Sequence, residues 1–263
     1  MMHKFLITLI CLFAMNNLTA QVNELYEKKE YISGTDTLRY RILYPVNYNA
    51  NKKYPLIVFL HGSGERGSDN EAQLKHGGKL FADSALRQQF PAIVVFPQCP
   101  RTDAWARMGY DPNKKDSLGK FTFQSEQPIG KSLGLVNSLL DSLVATKTIN
   151  TKKIYLGGLS MGGMGTFELL WRRPKFFAAA IPICGGGDPQ KVTIYGKKFP
   201  VWIFHGDNDQ AVPVGNSRLM NNVLKAARAK VKYTEYPGVG HDSWNNAFAE
   251  PALLPWLFKQ KKR

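Results

Sequence analysis

Short apolar runs alternate with longer stretches of helical periodicity along most of the chain. The runs are continuous rather than alternately apolar and polar, which is typical of parallel strands buried on both faces. They predict strands at 55–60, 92–97, 153–157, 178–183 and 200–205, with a last strand near 231–236. Between these strands, helices are predicted at 71–88, 129–146, 161–172, 216–230 and 246–260.

The N-terminal part of the pattern is different. Residues 24–48 contain two runs joined by the turn Ser33-Gly34-Thr35-Asp36, which predicts an antiparallel pair of strands. The regular alternation of strands and helices that follows predicts an α/β fold with a doubly wound, mostly parallel sheet and helices on both faces. A chain of 263 residues is long enough for one such domain, so we predict a single domain over residues 21–263.

The first twenty residues have the composition of a secretory signal. A short basic head ends at Lys4, an apolar core runs from Phe5 to Met15, and a polar stretch ends at Ala20. We therefore predict that residues 1–20 are cleaved and that the protein is exported, to the periplasm or outside the cell. No run reaches the roughly 18 apolar residues of a membrane span, so no span is expected.

Residues 98–128 interrupt the alternation with a long segment rich in aromatic and basic side chains. Loops longer than about 12–15 residues in compact domains are often functional. We predict a flap that faces the substrate, with Trp105 as an aromatic wall. A packed surface loop with Trp105 in a side cluster is the alternative.

The pentapeptide Gly158-Leu159-Ser160-Met161-Gly162 lies between a predicted strand and a predicted helix. This is the setting of a G-x-S-x-G nucleophile elbow, in which a strained turn exposes a serine hydroxyl at a helix N-terminus. Glycines are needed because the backbone is crowded there, and free N–H groups of the helix favour developing negative charge. The pattern predicts Ser160 as a nucleophile.

A serine nucleophile needs a base, and the base needs a carboxylate that orients it; with this elbow the chain order is serine, acid, histidine. Two candidate acids, Asp207 and Asp209, follow the strand at 200–205. His241 lies in a glycine-containing loop after the last strand, so it is the predicted base. Trp244, three residues later, is either a second aromatic wall or a support for the histidine loop.

Three other histidines have structural interpretations. His61 and His205 both stand at strand ends before a glycine, where we expect them to brace loops. His76 lies in a polar, helix-like stretch and is expected at the surface.

The predicted strand at 54–60 ends in His61-Gly62-Ser63-Gly64-Glu65-Arg66-Gly67. In folds with a nucleophile elbow, this loop supplies one N–H to the oxyanion, and the residue after the nucleophile supplies another. The predicted donors are the amides of Ser63 and Met161. A nucleotide site is not expected, because the loop lacks the G-K-[ST] of a phosphate loop and contains an acidic residue, Glu65.

These motifs together resemble α/β-hydrolase-fold serine esterases over about residues 37–258. The patterns L-H-G-S-G-E-R-G, F-P-Q-C-P…W, G-G-L-S-M-G-G and G-H-D-S-W are similar to those of secreted bacterial carboxylesterases, in the feruloyl-esterase and phospholipase/carboxylesterase-like group. The resemblance implies Ser160 as nucleophile, His241 as base and Asp209, with its H-G-x-x-D-x-x-V-P spacing, as acid. It also implies hydrolysis of carboxylic esters, with feruloyl or acetyl esters on polysaccharides as the expected substrates.

Charge and cysteine content narrow the list of partners. Without residues 1–20 the chain has 34 basic and 20 acidic residues, a net charge of +14. The excess is scattered in doublets rather than clustered with aromatics, so no nucleic-acid partner is expected. No cysteine and histidine set has the spacing of a zinc site, and neither a metal nor a cofactor is expected. Whether Cys99 and Cys184 are paired stays open.

Three other functions share some of these motifs. A serine peptidase of the prolyl-oligopeptidase type has the same triad but usually carries an additional propeller domain. A dienelactone-hydrolase-like enzyme more often has a cysteine nucleophile. A non-catalytic, glycan-binding protein on the same scaffold would normally have lost a triad member, and here all three candidates are in place.

Overall fold

The structure is a computed structural model that describes residues 22–114 and 116–262. The strands are β1 Glu27–Ser33, β2 Asp36–Leu43, β3 Tyr54–Leu60, β4 Ile93–Pro97, β5 Met108–Tyr110, β6 Phe121–Phe123, β7 Ile149–Leu159, β8 Ala179–Ile183, β9 Pro200–Gly206 and β10 Lys230–Tyr236. The α-helices are α1 Gly78–Ala82, α2 Ser84–Gln89, α3 Lys131–Ala145, α4 Met161–Arg172, α5 Val192–Tyr195, α6 Gly215–Ala226, α7 Trp244–Ala249 and α8 Leu253–Lys259. Short 3₁₀ turns lie at Ser63–Glu65, Ala72–Leu74 and Pro189–Lys191. The predicted signal, residues 1–20, lies outside the described residues.

Eight of the strands form one sheet in the order β1-β2-β4-β3-β7-β8-β9-β10. The strands from β4 to β10 in this order are parallel, whereas β1 and β2 are antiparallel to each other and β2 is antiparallel to β4. The expected α/β fold, with its mostly parallel sheet and N-terminal antiparallel strands, is confirmed. The strands β3 and β7 are neighbours in the middle of the sheet. Because they are parallel, their C-terminal ends lie side by side at the same edge.

The two faces of the sheet are covered by different helices. Along β3, Leu56 and Val58 join a core cluster that includes side chains of α3, α4 and α6. The intervening Ile57 and Phe59 join a second cluster, with side chains of α1, α7 and α8. All four side chains are buried, so burial on both faces explains why the strand sequences are continuously apolar.

Two long predicted helices are interrupted in the structure. The stretch 71–88 contains a 3₁₀ turn, α1 and α2, because Gly77 adopts a φ of +91° and Asp83 caps α2 by accepting from the N–H of Leu86. The stretch 246–260 is divided between α7 and α8 around Pro251. Proline and capping residues end helices where an apolar period alone predicts continuation.

The segment 98–128 is not an open flap throughout, and the prediction that Trp105 is an aromatic wall is wrong. The Trp105 side chain is 0% exposed and its indole N–H donates to the carbonyl of His61 at 3.0 Å. It packs so closely on α4 that a Cβ on Gly165 would overlap its own Cβ. The alternative, a packed loop, describes this end of the segment.

The rest of that segment contains the hairpin β5–β6. Its apolar residues Met108, Phe121 and Phe123 pack on Met164 and Val212. The loop that joins β5 to β6 is held by a hydrogen bond of 2.9 Å from the Asn216 side chain to the carbonyl of Leu118. The hairpin therefore lies across the first turns of α4 and α6.

Cys99 and Cys184 are both buried and are not paired with each other. They follow β4 and β8, which β3 and β7 separate in the sheet. With neighbouring strands about 4.8 Å apart, the two thiols lie well beyond the reach of a disulfide. Within the described part of the chain, every helix is too short or too polar to cross a bilayer.

Candidate active site

Ser160 occupies the tight turn between β7 and α4. Its backbone has a φ of +53° and a ψ of −118°, a conformation that costs a non-glycine residue roughly 1–3 kcal/mol. The turn is held because the N–H of Ser160 donates to the carbonyl of Ile183 at 2.9 Å. Ser160 therefore stands at the C-terminal edge of the sheet, directly before the first residue of α4.

The two glycines of the motif are required by backbone contacts. A Cβ on Gly158 would overlap the carbonyl of Gly162, and a Cβ on Gly162 would overlap the carbonyl of Leu60. Since these neighbours are backbone atoms of α4 and of the central strand β3, they cannot move aside as a side chain could. The sequence motif thus reflects the close approach of α4 to β3 and β7.

A continuous line of hydrogen bonds joins the three predicted triad residues. His241 Nε2 lies 2.9 Å from Ser160 Oγ, and His241 Nδ1 lies 2.7 Å from Asp209 Oδ2. The carboxylate is fully buried, whereas the imidazole is 28% exposed. The line of hydrogen bonds therefore begins at the buried carboxylate of Asp209 and ends at the hydroxyl of Ser160.

Asp209 is held in its ionised form by four hydrogen bonds. Its Oδ1 accepts from the N–H groups of Ala211 and Val212, each at 2.8 Å, and its Oδ2 accepts from His205 as well as from His241. Burial alone would raise the pKa of Asp209, but the hydrogen bonds from the two histidines and Val212 outweigh it and hold that pKa well below its usual range. A permanent negative charge therefore faces His241.

His205 braces the acid loop, as its position before a glycine predicts. Its Nε2 faces two acceptors, Asp209 Oδ2 at 3.1 Å and the Val212 carbonyl at 2.9 Å, so Nε2 carries a proton. Its Nδ1 lies 2.7 Å from Ser217 Oγ. His205 and His241 thus share one carboxylate oxygen, Oδ2 of Asp209.

Asp207 has a different task from Asp209. Its Oδ1 accepts from the N–H of Gly238 at 2.6 Å, in the loop that carries His241. The N–H of Asn208 also reaches the carbonyl of Val239. These bonds tie the acid loop to the base loop.

The loop after β3 lies beside the serine. The position of a Cβ on Gly62 would be 3.7 Å from Ser160 Cβ. Ser63 begins a 3₁₀ turn and Met161 begins α4, so the N–H of Met161 lacks the acceptor that an interior helical residue has. The two predicted oxyanion donors therefore lie just after the C-terminal ends of the neighbouring strands β3 and β7.

His61 supports this loop and does not compete as a base. Its Nδ1 donates to the carbonyl of Gly62 at 2.6 Å, and its Nε2 accepts from the N–H of Cys99 at 3.0 Å. Burial lowers the pKa of His61 to about 4, so the ring is neutral near pH 7. This agrees with the expectation that His61 braces a loop.

Trp244 packs against the base. Its ring lies edge-on to His241, with centroids 5.4 Å apart, and it also contacts His76 at 4.9 Å. The first contact corresponds to a support for the histidine loop. His76 is not the surface residue expected from its polar surroundings, because its side chain is 24% exposed and lies 3.4 Å from Glu65.

Cys184 lies beside the triad, a position that the sequence motifs do not predict. Ligand atoms of Cys184, Asp209 and His241 all lie within 4.8 Å of one another. Burial raises the pKa of the Cys184 thiol well above its usual value, so the thiol is protonated. Since Asp209 and His241 are hydrogen bonded to each other, this set is poorly suited to hold a metal ion.

The sequence gives no signal for the side chains that contact the triad residues and the loops beside them. These side chains belong to Glu65, His76, Cys184 and Ser217, and each contacts a residue on a different element of the chain. His205 carries a partial signal, because it stands four residues before Asp209 at a strand end.

Comparison with known proteins agrees with this geometry. Residues 44–251 match the model of the phospholipase/carboxylesterase family. The chain is 29% identical over 219 residues to an endo-1,4-beta-xylanase/feruloyl esterase of Xylanibacter ruminicola, covering 79% of this chain but only 27% of that protein. It is also 26% identical over 200 residues to the carboxylesterase SOBER1 of Arabidopsis thaliana, covering 72% of this chain and 84% of that protein.

Among solved structures, a thermostable esterase superposes with a TM-score of 0.79 at 33% identity, covering 92% of this chain and 64% of that one. A ferulic acid esterase of Anaeromyces mucronatus superposes with a TM-score of 0.61 at 20% identity, covering 85% of this chain and 86% of that one, a likeness of fold alone. The chain belongs to the phospholipase/carboxylesterase family, and its α/β-hydrolase fold and its relatives are those of carboxylic ester hydrolases.

Proposed function

We propose that the protein is an exported serine carboxylesterase that cleaves carboxylic esters through an acyl-enzyme, with feruloyl or acetyl esters on polysaccharides as its substrates. The observation that carries the proposal is the unbroken line of hydrogen bonds from Asp209 through His241 to Ser160. The 2.9 Å between His241 Nε2 and Ser160 Oγ is a distance over which a general base can take up a proton.

In the first half of the reaction, Ser160 Oγ attacks the ester carbonyl while His241 Nε2 takes its proton. The carbonyl oxygen becomes an oxyanion that the N–H groups of Ser63 and Met161 stabilise, with about 3–4 kcal/mol for each donor in comparable sites. His241 then gives its proton to the departing alcohol oxygen, and the acyl group stays on Ser160.

In the second half, a water molecule attacks the acyl-enzyme while His241 takes one of its protons. The acid leaves, and the proton returns to Ser160 Oγ. Throughout, the buried carboxylate of Asp209 keeps the proton of His241 on Nδ1 and stabilises the imidazolium that forms. Every step is carried out by side chains and backbone amides of this chain.

The names of relatives support the proposed substrate, and the first twenty residues support the proposed location. Both the Xylanibacter ruminicola relative and the Anaeromyces mucronatus structure carry feruloyl or ferulic acid esterase in their names. The basic head and apolar core at residues 1–20 support export. N-terminal sequencing of the protein recovered from a bacterial host would test export, with Gln21 as the expected first residue.

The activity is tested by hydrolysis of p-nitrophenyl acetate and methyl ferulate. We expect the wild type to cleave both esters and Ser160→Ala to cleave neither above the uncatalysed rate. The ratio of ferulate to acetate turnover then measures the preference for an aromatic acyl group. If the wild type hydrolyses a peptide p-nitroanilide but neither ester, the protein is a peptidase and not an esterase. If the wild type hydrolyses none of these substrates, a non-catalytic role is favoured.

A further inference from the structure

A buried carboxylate beside the active site has no part in the mechanism above. Glu65 lies on the oxyanion loop, two residues after Ser63, and its side chain is only 6% exposed. We propose that Glu65, together with Trp244, binds a hydroxyl group on the alcohol part of the substrate, and that Glu65 is the residue that selects hydroxylated alcohols. This inference rests on the proposed esterase function.

The carboxylate of Glu65 is poorly satisfied by the protein. Within residues 22–114 and 116–262, its one ionic partner is His76 Nε2 at 3.4 Å, which is longer than a good charged hydrogen bond. A carboxylate has about four acceptor sites, and burying it without partners is costly. The arrangement is therefore open to a donor from outside the protein.

Glu65 also faces the nucleophile. A Cβ atom added to Gly62 would lie between the two side chains, 3.0 Å from Glu65 Oε2 and 3.7 Å from Ser160 Cβ. The backbone of Glu65 is fixed in this place, because its N–H donates to the Gly62 carbonyl and its own carbonyl accepts from the Gln98 side chain, each at 3.3 Å. The carboxylate thus lies at the edge of the space where the ester binds.

The neighbours of Glu65 lead to the leaving-group side of that space. The alcohol oxygen of the ester must lie within hydrogen-bond reach of His241 Nε2, since His241 protonates it. Trp244 packs on His241 at 5.4 Å between centroids, and His76 packs on Trp244 at 4.9 Å. A row of contacts therefore joins the proton donor of the leaving group to the carboxylate of Glu65.

The chemistry of this row suits an alcohol with further hydroxyl groups. The ionised carboxylate accepts from an O–H, and the aromatic rings present apolar surface to C–H groups. Trp244 Nε1 is a buried donor that lacks a hydrogen-bond partner among the described residues, so it can donate to a second oxygen. A simple alkyl alcohol offers neither partner and leaves both groups unpaired.

Glu65 is ionised near neutral pH. Burial alone would raise the pKa of its carboxyl, but the neighbouring His76 outweighs this effect and lowers that pKa below its usual value. A charged acceptor discriminates more strongly for a hydroxyl than a neutral one does.

The test varies the alcohol and keeps the acyl group constant. We expect the wild type to hydrolyse 2-hydroxyethyl acetate with a kcat/KM about tenfold above that of ethyl acetate, since a hydrogen bond to a charged group is worth about that factor or more. Glu65→Gln, which keeps the shape and removes the charge, should reduce this ratio to about two or less. A far-ultraviolet circular dichroism spectrum like that of the wild type reports that the variant is folded.

The matched control is Glu30→Gln, because Glu30 is an exposed glutamate on the edge strand β1 that pairs with Arg39. We expect this variant to keep both the wild-type ratio and the wild-type rate.

Several results would overturn the inference. A wild-type ratio near one excludes a contact with the hydroxyl, whatever the variant does. An equal loss for both esters in Glu65→Gln would show that Glu65 only holds the oxyanion loop, and faster turnover of 2-aminoethyl acetate than of the hydroxyethyl ester would indicate an amine site instead. If the wild type cleaves none of these esters, the esterase proposal itself has failed and this inference fails with it.

Discussion

The nucleophile elbow and the segment 98–128 both reach the catalytic edge of the sheet, but they are held in different ways. The elbow is held by backbone packing, in which Gly158 and Gly162 allow the start of α4 to approach the central strands β7 and β3. The segment is held by single side chains, such as Trp105 on the carbonyl of His61 and Glu168 on the N–H of Arg107 at 2.6 Å. The elbow therefore tolerates almost no substitution, whereas the segment depends on a few anchors.

The largest expected effect is on the triad that the elbow serves. Asp209→Asn should reduce kcat by about 10⁴ with p-nitrophenyl acetate, because the amide no longer holds the proton of His241 on Nδ1. Asp207→Asn is the control, since Asp207 accepts from Gly238 and does not touch His241. Activity that survives in Asp209→Asn and is lost in Asp207→Asn would show that Asp207 is the acid.

The comparison of wild type with Asp209→Asn also gives a pH dependence of stability. Because the folded pKa of Asp209 is depressed, its ionisation stabilises the fold above the unfolded value of about 3.9, and this contribution is lost as the pH falls. The difference in free energy of unfolding between wild type and Asp209→Asn should thus shrink from pH 7 toward pH 3. Urea denaturation at several pH values measures it, and a difference that grows toward low pH would contradict this assignment.

The next effect tests the backbone packing of the elbow. Gly162→Ala should destabilise the protein by about 3 kcal/mol or more, as overpacking against backbone does. Gly64→Ala is the matched control on the neighbouring loop, where an added Cβ has no neighbour within 4 Å. Similar urea midpoints for the two variants would show that the motif is not constrained by this contact.

The smallest of these effects on turnover is expected in the segment 98–128. Trp105→Ala should destabilise the fold by about 3–5 kcal/mol, as the loss of a buried aromatic side chain does, while the KM of the folded protein for p-nitrophenyl acetate changes little. Tyr110→Ser, at a hairpin position that is 65% exposed, should change stability by about 0.5 kcal/mol or less. A large rise in KM without a loss of stability in Trp105→Ala would show that Trp105 does line the substrate site as an aromatic wall.

The same contrast explains what could be predicted from the sequence. The elbow, the acid loop and the base loop follow local rules, in which residue type, chain order and position at a strand end all point to one edge of the sheet. These rules identify Ser160 and His241 and limit the acid to Asp207 or Asp209, and the family resemblance selects Asp209. The structure brings Ser160, Asp209 and His241 together.

The interior of the segment 98–128 follows no such rule. Whether Trp105 lines a pocket or fills the core depends on the space above Gly165, and that space is created by residues some sixty positions away. The contact of Glu65 with His76 has no local signal either, because it depends on how the loop and the 3₁₀ turn Ala72–Leu74 bring His76 back to the oxyanion loop. Local patterns thus identify the reacting groups, while the walls around them need the tertiary structure.

The most direct measurement of the central claim is to trap the serine covalently. The protein is incubated with diethyl p-nitrophenyl phosphate, digested, and the modified peptide is identified by mass spectrometry. The account predicts a diethylphosphoryl group on Ser160, formed much more slowly in Asp209→Asn and absent at that position in Ser160→Ala. Modification of another residue with loss of activity, or an unmodified Ser160 in a fully inhibited protein, would contradict it.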